Sequence, residues 1–307
     1  MLERSLFAGT RLRCATLFAA SLFAGAAAAQ VPQYDHVVLV MMENHSFTEI
    51  IGSASAPYIN TIASQGATFT QSFGIEHPSQ PNYLDIFSGA NQGTTGTDAC
   101  VASLVNADNL GNQLRTASFT FVGYSESLPS AGSTTCVTAD SLYARKHNPW
   151  SDFANLGDLA TAAVVNQPFS AFPADFSTLP TVAFVAPNQC HDMHGIGGTC
   201  PAGTAAIITD GDTWLSTTSG IADYAAWATQ HNSLLIITWD EDDSSSSNRI
   251  ATIFYGANVV PGLYSETINH YSVLATLEAM YGLPALAGAA TKTPITDVFR
   301  VFADGFE

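Results

Sequence analysis

The chain has 307 residues, with 26 Asp and Glu against 9 Lys and Arg, a formal charge of -17, and it is 47% hydrophobic but only 11% charged. Such a surface repels phosphate backbones and anionic lipid, which makes nucleic acid and anionic membranes poor partners. Length and apolar share together suit one well-buried domain.

In chain order, the first feature is a leader. Arg4, Arg11 and Arg13 flank the apolar run Cys14 to Gly25, and Ala26 to Ala29 follow, the pattern of a secretory signal peptide over residues 1–29. Its apolar run is shorter than the roughly 20 residues a membrane span needs, so no stable membrane insertion is expected. Removing it leaves 6 basic and 25 acidic residues, a formal charge of -19. The expected product is a secreted or periplasmic protein, with a single domain over 30–300 and a tail over 301–307 that carries no chemistry.

Short runs of Val, Ile, Leu and Phe bounded by turn residues predict buried strands at His36 to Met41, Phe119 to Tyr124, Thr181 to Val185, Leu234 to Thr238 and Ala251 to Tyr255. Helical spacing is present at Tyr58 to Gln65, Asn82 to Phe87, Leu104 to Ala117, Thr213 to Thr229 and Ser272 to Tyr281. Alternation of the two predicts an α/β fold with a mostly parallel central sheet and helices on both faces. Cys14 leaves with the signal, and the four remaining cysteines allow three pairings. Proximity favours Cys100 with Cys136 and Cys190 with Cys200, each pair bracketing a Gly, Ser and Thr-rich stretch. No Cys-x-x-Cys pair is present to support zinc ligation instead.

Ligands of open α/β sheets bind beyond the carboxyl ends of strands. Glu43-Asn44 leaves one predicted strand and Asp240-Glu241 another, so four oxygen donors converge if those strands are neighbours. Hard divalent cations favour such a set. Ser79, in His77-Pro78-Ser79-Gln80-Pro81-Asn82-Tyr83, falls at a helix start, where free N–H groups and the helix dipole favour a phosphoryl group. An ordinary helix cap is the plain alternative there. His147 and Lys146 belong to the one basic cluster of the mature chain and offer local positive potential. Asp192 and His194 alternate in the loop between Cys190 and Cys200, and His270 precedes the last helix.

In order along the chain, Met42-Glu43-Asn44-His45-Ser46-Phe47, the Ser79 segment, Lys146-His147-Asn148-Pro149, Asp192-Met193-His194, Trp239-Asp240-Glu241 and His270 resemble the phosphoesterase family of bacterial acid phosphatases and phosphatidylcholine-type phospholipases C. That family is a branch of the alkaline phosphatase superfamily. The resemblance implies an alkaline-phosphatase-like fold and a metal held by Glu43, Asn44, Ser79, Asp240 and Glu241. It also implies Ser79 as nucleophile, Asn82 as a phosphoryl-oxygen contact, His147, His194 and His270 as catalytic histidines, and Asp192 as a further contact. Asp240-Glu241 replaces the Asp-His of two-zinc relatives, so one divalent ion is expected, Zn, Mn, Mg or Ca. The expected activity is an acid phosphatase working on small phosphomonoesters through a phosphoserine, most active at mildly acidic pH where histidines are protonated. The alternatives are a phospholipase C or other phosphodiesterase, acting on a phospholipid, and an inactive module that binds phosphate or metal.

Overall fold

The computed structural model describes Met1 and residues 31–157 and 164–300. The signal peptide, apart from Met1, and the tail both lie outside the described residues.

Nine strands form one mixed sheet. They are β1 (His36–Met42), β2 (Ala67–Phe73), β3 (Phe121–Ser125), β4 (Asn166–Pro168), β5 (Val182–Ala186), β6 (Ser233–Trp239), β7 (Arg249–Ile250), β8 (Thr252–Gly256) and β9 (Gly262–Asn269). The order runs β4-β3-β5-β1-β6-β8-β2-β7, with β9 also on β2. From β4 to β6 every pairing is parallel, whereas β8 pairs antiparallel with both β6 and β2. The sheet is therefore mostly parallel, as expected, with an antiparallel flank.

Seven α-helices are described: α1 (Phe47–Ile50), α2 (Pro57–Gln65), α3 (Ser79–Ser88), α4 (Leu110–Thr116), α5 (Thr204–Thr213), α6 (Ile221–Ala228) and α7 (His270–Met280). Side chains of a strand alternate between the two faces of its sheet. Val37, Leu39 and Met41 accordingly share one core with Leu84 and Phe87 of α3, Leu114 of α4 and Leu277 of α7. Val38, Val40 and Met42 share the other with Ile59 of α2, Ile208 of α5 and Tyr224 of α6. Strands buried on both faces cannot show polar alternation, which is why β1, β5 and β6 read as continuous aliphatic runs.

Two boundaries differ from expectation for local reasons. Asn109 caps α4, its side chain accepting from Asn112 N at 2.9 Å, so residues 104–109 stay outside the helix expected from Leu104. The helix expected over Thr213 to Thr229 is instead α5, a π-turn at Trp214–Thr218 and α6, with Gly220 at φ 75° between the last two. β2 and β9 carry no aliphatic run: β9 is largely exposed, and the buried Thr68 and Ser72 of β2 place their hydroxyls on Ala63 O and Thr252 Oγ1. Gly123 in β3 has a packing reason: a Cβ there would come within 2.0 Å of the Trp150 ring.

Both expected disulfides are present, Cys100–Cys136 and Cys190–Cys200, with Cα atoms 5.7 and 4.9 Å apart. Among the described residues, no helix is long and apolar enough to cross a membrane.

Candidate active site

Register builds the site. β1 and β6 run parallel with Met42 opposite Trp239, so Glu43 and Asp240 leave adjacent strands at the same level. Asp240 N donates to Met42 O at 3.0 Å, and Glu43 N to Asp192 O at 2.7 Å, which ties in the loop after β5 on the other side of β1. Asn44 then turns with φ 47°, a left-handed conformation that Asn tolerates better than most residues. Gly74 lets its segment pass close to this end of β6; a Cβ there would sit 2.7 Å from Asp240 O.

Ser79 is the first residue of α3 and is buried. Its Oγ lies 3.0 Å from Glu43 Oε2 and 3.1 Å from Glu241 Oε1. A hydroxyl has one proton and cannot serve two carboxylates fully. Asn44 N donates to Asp240 Oδ1 at 3.1 Å and Asn44 Nδ2 to Glu241 Oε1 at 3.3 Å. Glu43, Asn44, Ser79, Asp240 and Glu241 thus converge as a single group.

Histidines close the other side of Glu43. His147 Nε2 lies 3.2 Å from Glu43 Oε1 and its Nδ1 3.4 Å from Asp192 Oδ2, while His194 Nδ1 lies 3.3 Å from Glu43 Oε2. Asp192 Oδ1 accepts from His194 N at 2.7 Å. Donor atoms of Glu43, His147 and His194 all fall within 4.8 Å of one another, a geometry suited to a metal ion.

Burial dominates the electrostatics. It raises Asp240 and Asp192 well above the usual carboxylate range, and Glu241 to about 7. Glu43 moves the other way: burial again opposes its charge, but His147, His194 and Lys146 hold it low. That low value leans on a charged His147, which burial itself pushes down to about 3. Both cannot hold at neutral pH. Burial favours a neutral His147 ring beside an ionised Glu43. Burial likewise lowers His270, to about 4.

The fit of a divalent ion rests on the leftover atoms. Asn44 Oδ1 and Asp240 Oδ2, one from each strand end, are buried without a hydrogen-bond partner. Buried oxygens left bare are costly, and four clustered acids more so, unless a cation neutralises them. The residues present fit such an ion.

Two expected residues are turned away from this centre. Asn82 Oδ1 accepts from Ile75 N and Glu76 N, and its Nδ2 donates to Glu76 O at 2.7 Å, so the amide fastens the segment leading to Ser79. His270 Nε2 donates to the carbonyl of Asp240 at 2.6 Å, so that nitrogen serves the backbone. Three other residues were underrated by sequence reasoning. Tyr83 OH donates to Glu43 Oε1 at 2.5 Å and its ring stacks on His147 at 5.0 Å; its position four residues after Ser79, on the same helix face, was the available signal. Half-buried His77, legible only as a neighbour of Ser79, contacts the carboxylates of Glu241 and Asp242. Asp98 accepts from Gln80 N at 3.0 Å and from Lys146 Nζ at 2.6 Å, and its Gly and Thr-rich surroundings gave no hint of this.

A buried hydroxyl at a helix start is thus set among clustered oxygens at the ends of parallel strands. The same fold is found in a protein of the alkaline phosphatase superfamily from Vibrio parahaemolyticus, with a TM-score of 0.57 at 12% identity, covering 89% of this chain and 73% of that one. Residues 53–284 match the Phosphoesterase family, and the chain belongs to it. A phosphatidylinositol-3-phosphatase of Mycobacterium tuberculosis is 46% identical over 277 residues, which are 90% of this chain and 86% of that protein. A phosphate-repressible acid phosphatase of Penicillium chrysogenum is 28% identical over 263 residues; the match spans 82% of this chain but 60% of the fungal protein. The protein is a phosphoric ester hydrolase.

Proposed function

We propose that the protein is an exported, metal-dependent phosphatase that cleaves phosphomonoesters through a phosphoserine on Ser79. One observation carries this reading: Ser79 Oγ is shared between Glu43 and Glu241 at 3.0 and 3.1 Å, at the first residue of α3. Glu43, Asn44, Ser79, Asp240 and Glu241 would hold a divalent ion, with His147 and His194 bordering it. When bound, such an ion supplies Lewis acidity and lowers the pKa of an attached hydroxyl.

In this scheme Ser79 Oγ attacks phosphorus, and its proton passes to the surrounding carboxylates. The dipole at the start of α3 favours the developing oxygen charge there. His194 protonates the departing alcohol, and water then releases phosphate from Ser79. Asn82 and His270 act by position, the first on the approach to Ser79 and the second on the backbone of Asp240.

The relatives support monoesters over diesters, since the mycobacterial protein is named for a phosphoinositide monoester and the fungal one for acid phosphatase activity. Phosphatidylinositol 3-phosphate is therefore a substrate to test beside small phosphomonoesters. The two disulfides favour an oxidising compartment and so an exported protein. The test is hydrolysis of p-nitrophenyl phosphate and its bis-ester by the mature protein, before and after chelation and with Zn, Mn, Mg or Ca restored. Metal-restored monoesterase activity is expected; activity untouched by chelation, or confined to the bis-ester, overturns the reading.

A further inference from the structure

A cavity of about 310 Å³ adjoins the crevice, lined by Asp98, Lys146, Val137, Ile196 and the Cys100–Cys136 disulfide among others. Three connections place it beside the reacting centre. Asp98 accepts from the N–H of Gln80, the residue after Ser79. Lys146 immediately precedes His147, whose Nε2 lies 3.2 Å from Glu43 Oε1. Ile196 stands two residues beyond His194, in the loop bracketed by Cys190 and Cys200.

The wall is preformed. Arg145 N donates to Cys136 O at 2.8 Å, its guanidinium donates to Thr134 O at 2.9 Å and to Val101 O, and it pairs with Asp152 at 3.1 Å. Both ends of the disulfide loop are thereby fixed on one buried side chain. The cation in the wall, Lys146, is already paired with Asp98, so the cavity offers no free charge. Val137 and Ile196 are 55% and 43% exposed, which sets aliphatic surface in contact with solvent at the cavity.

We propose that this cavity is the subsite for the organic moiety of the phosphomonoester, and that it takes an uncharged, ring-sized group with an apolar face. Its volume is at the small end of ligand sites, enough for a ring and not for a long chain. An apolar face gains by covering Val137 and Ile196, at about 25 cal/mol per Å² removed from water, and hydroxyls on the other face meet Asp98 and Lys146. The proposal rests on the phosphomonoesterase reading above.

The experiment fills the cavity. Val137→Trp and Ile196→Trp place an indole in it from exposed positions, with unchanged melting temperature as the folding control. KM for 1-naphthyl phosphate should rise about tenfold, a change of 1.4 kcal/mol. The inhibition constant of inorganic phosphate, which occupies only the phosphoryl position, should stay within about twofold, the scatter of ordinary surface changes. An unchanged KM, or a phosphate constant that rises in step with it, overturns the subsite. Failure of the parent protein to hydrolyse 1-naphthyl phosphate with any metal overturns the phosphomonoesterase reading first, and is seen before any variant is made.

Discussion

Asp212 and Asp240 are both buried acids, and they are treated in opposite ways. Asp212, on α5, accepts from Ile59 N at 2.8 Å and Tyr58 N at 3.1 Å, supplying from a distance the cap that Ala56 cannot give α2. Both of its oxygens are used. Asp240 accepts one N–H from Asn44 and leaves Oδ2 bare, among Glu43, Glu241 and Asp192, which are also buried. The difference teaches that burial alone does not mark a functional acid. What sets Asp240 apart is that its bare oxygen lies among other buried acids, whereas Glu278 also keeps a bare oxygen without such neighbours at Ser79.

The largest effect should come from the group between the bare acids. Ser79→Ala should lower turnover of p-nitrophenyl phosphate at least about a thousandfold while the protein stays folded. Turnover within tenfold of the parent would place the nucleophile elsewhere.

Next, the crevice should be a liability to the metal-free fold. Asp240→Asn is expected to raise the melting temperature in chelator by a few degrees, corresponding to about 1–2 kcal/mol, and to abolish the increase that added metal gives the parent. Lower stability in chelator would mean that Asp240 is as well served as Asp212, and the contrast would collapse.

Asp212→Ala should do the reverse, costing about 1–2 kcal/mol of stability through the lost cap and leaving KM and kcat unchanged. Calorimetry beside a standard assay decides it.

The smallest effect concerns pH. Burial raises Glu278, on α7 and outside the residues that converge on Ser79, from 4.5 to about 7. The folded state therefore holds its proton more tightly than the unfolded state, so this group favours folding below pH 4.5 and loses that contribution as pH rises to about 7. Glu278→Gln should make the fall in melting temperature over that interval shallower; an identical slope would assign the pH dependence to the crevice acids.

Much of this was legible in the sequence, and the rest was hidden for physical reasons. Aliphatic runs located β1, β5 and β6 because strands buried on both faces have no other way to read, and Glu43 and Asp240 stood out as the acids at the ends of two such runs. Within the acidic run 240–243 the strand end and the motif singled out Asp240 and Glu241, but the role of Asp242 was not legible. Asp242 turns to the N–H groups of Ser244, Ser246 and Asn248 and shapes the serine loop, while Asp240 and Glu241 face Ser79 and Asn44. Composition cannot separate them, since one pleat of backbone decides which way each points. Asn82 and His270 were recognisable by motif, yet whether an amide or imidazole faces the crevice or its own backbone depends on loops with no periodic signal. Asp98 was invisible for the same reason.

The Cys190–Cys200 bridge encloses both Asp192 and His194, while Cys100–Cys136 closes the loop beside Lys146. Where thiols stay reduced, neither bracket forms and the side chains that border Glu43 lose their frame. If the protein is exported as proposed, the crosslinks would make the framing of these two loops depend on the compartment the chain reaches.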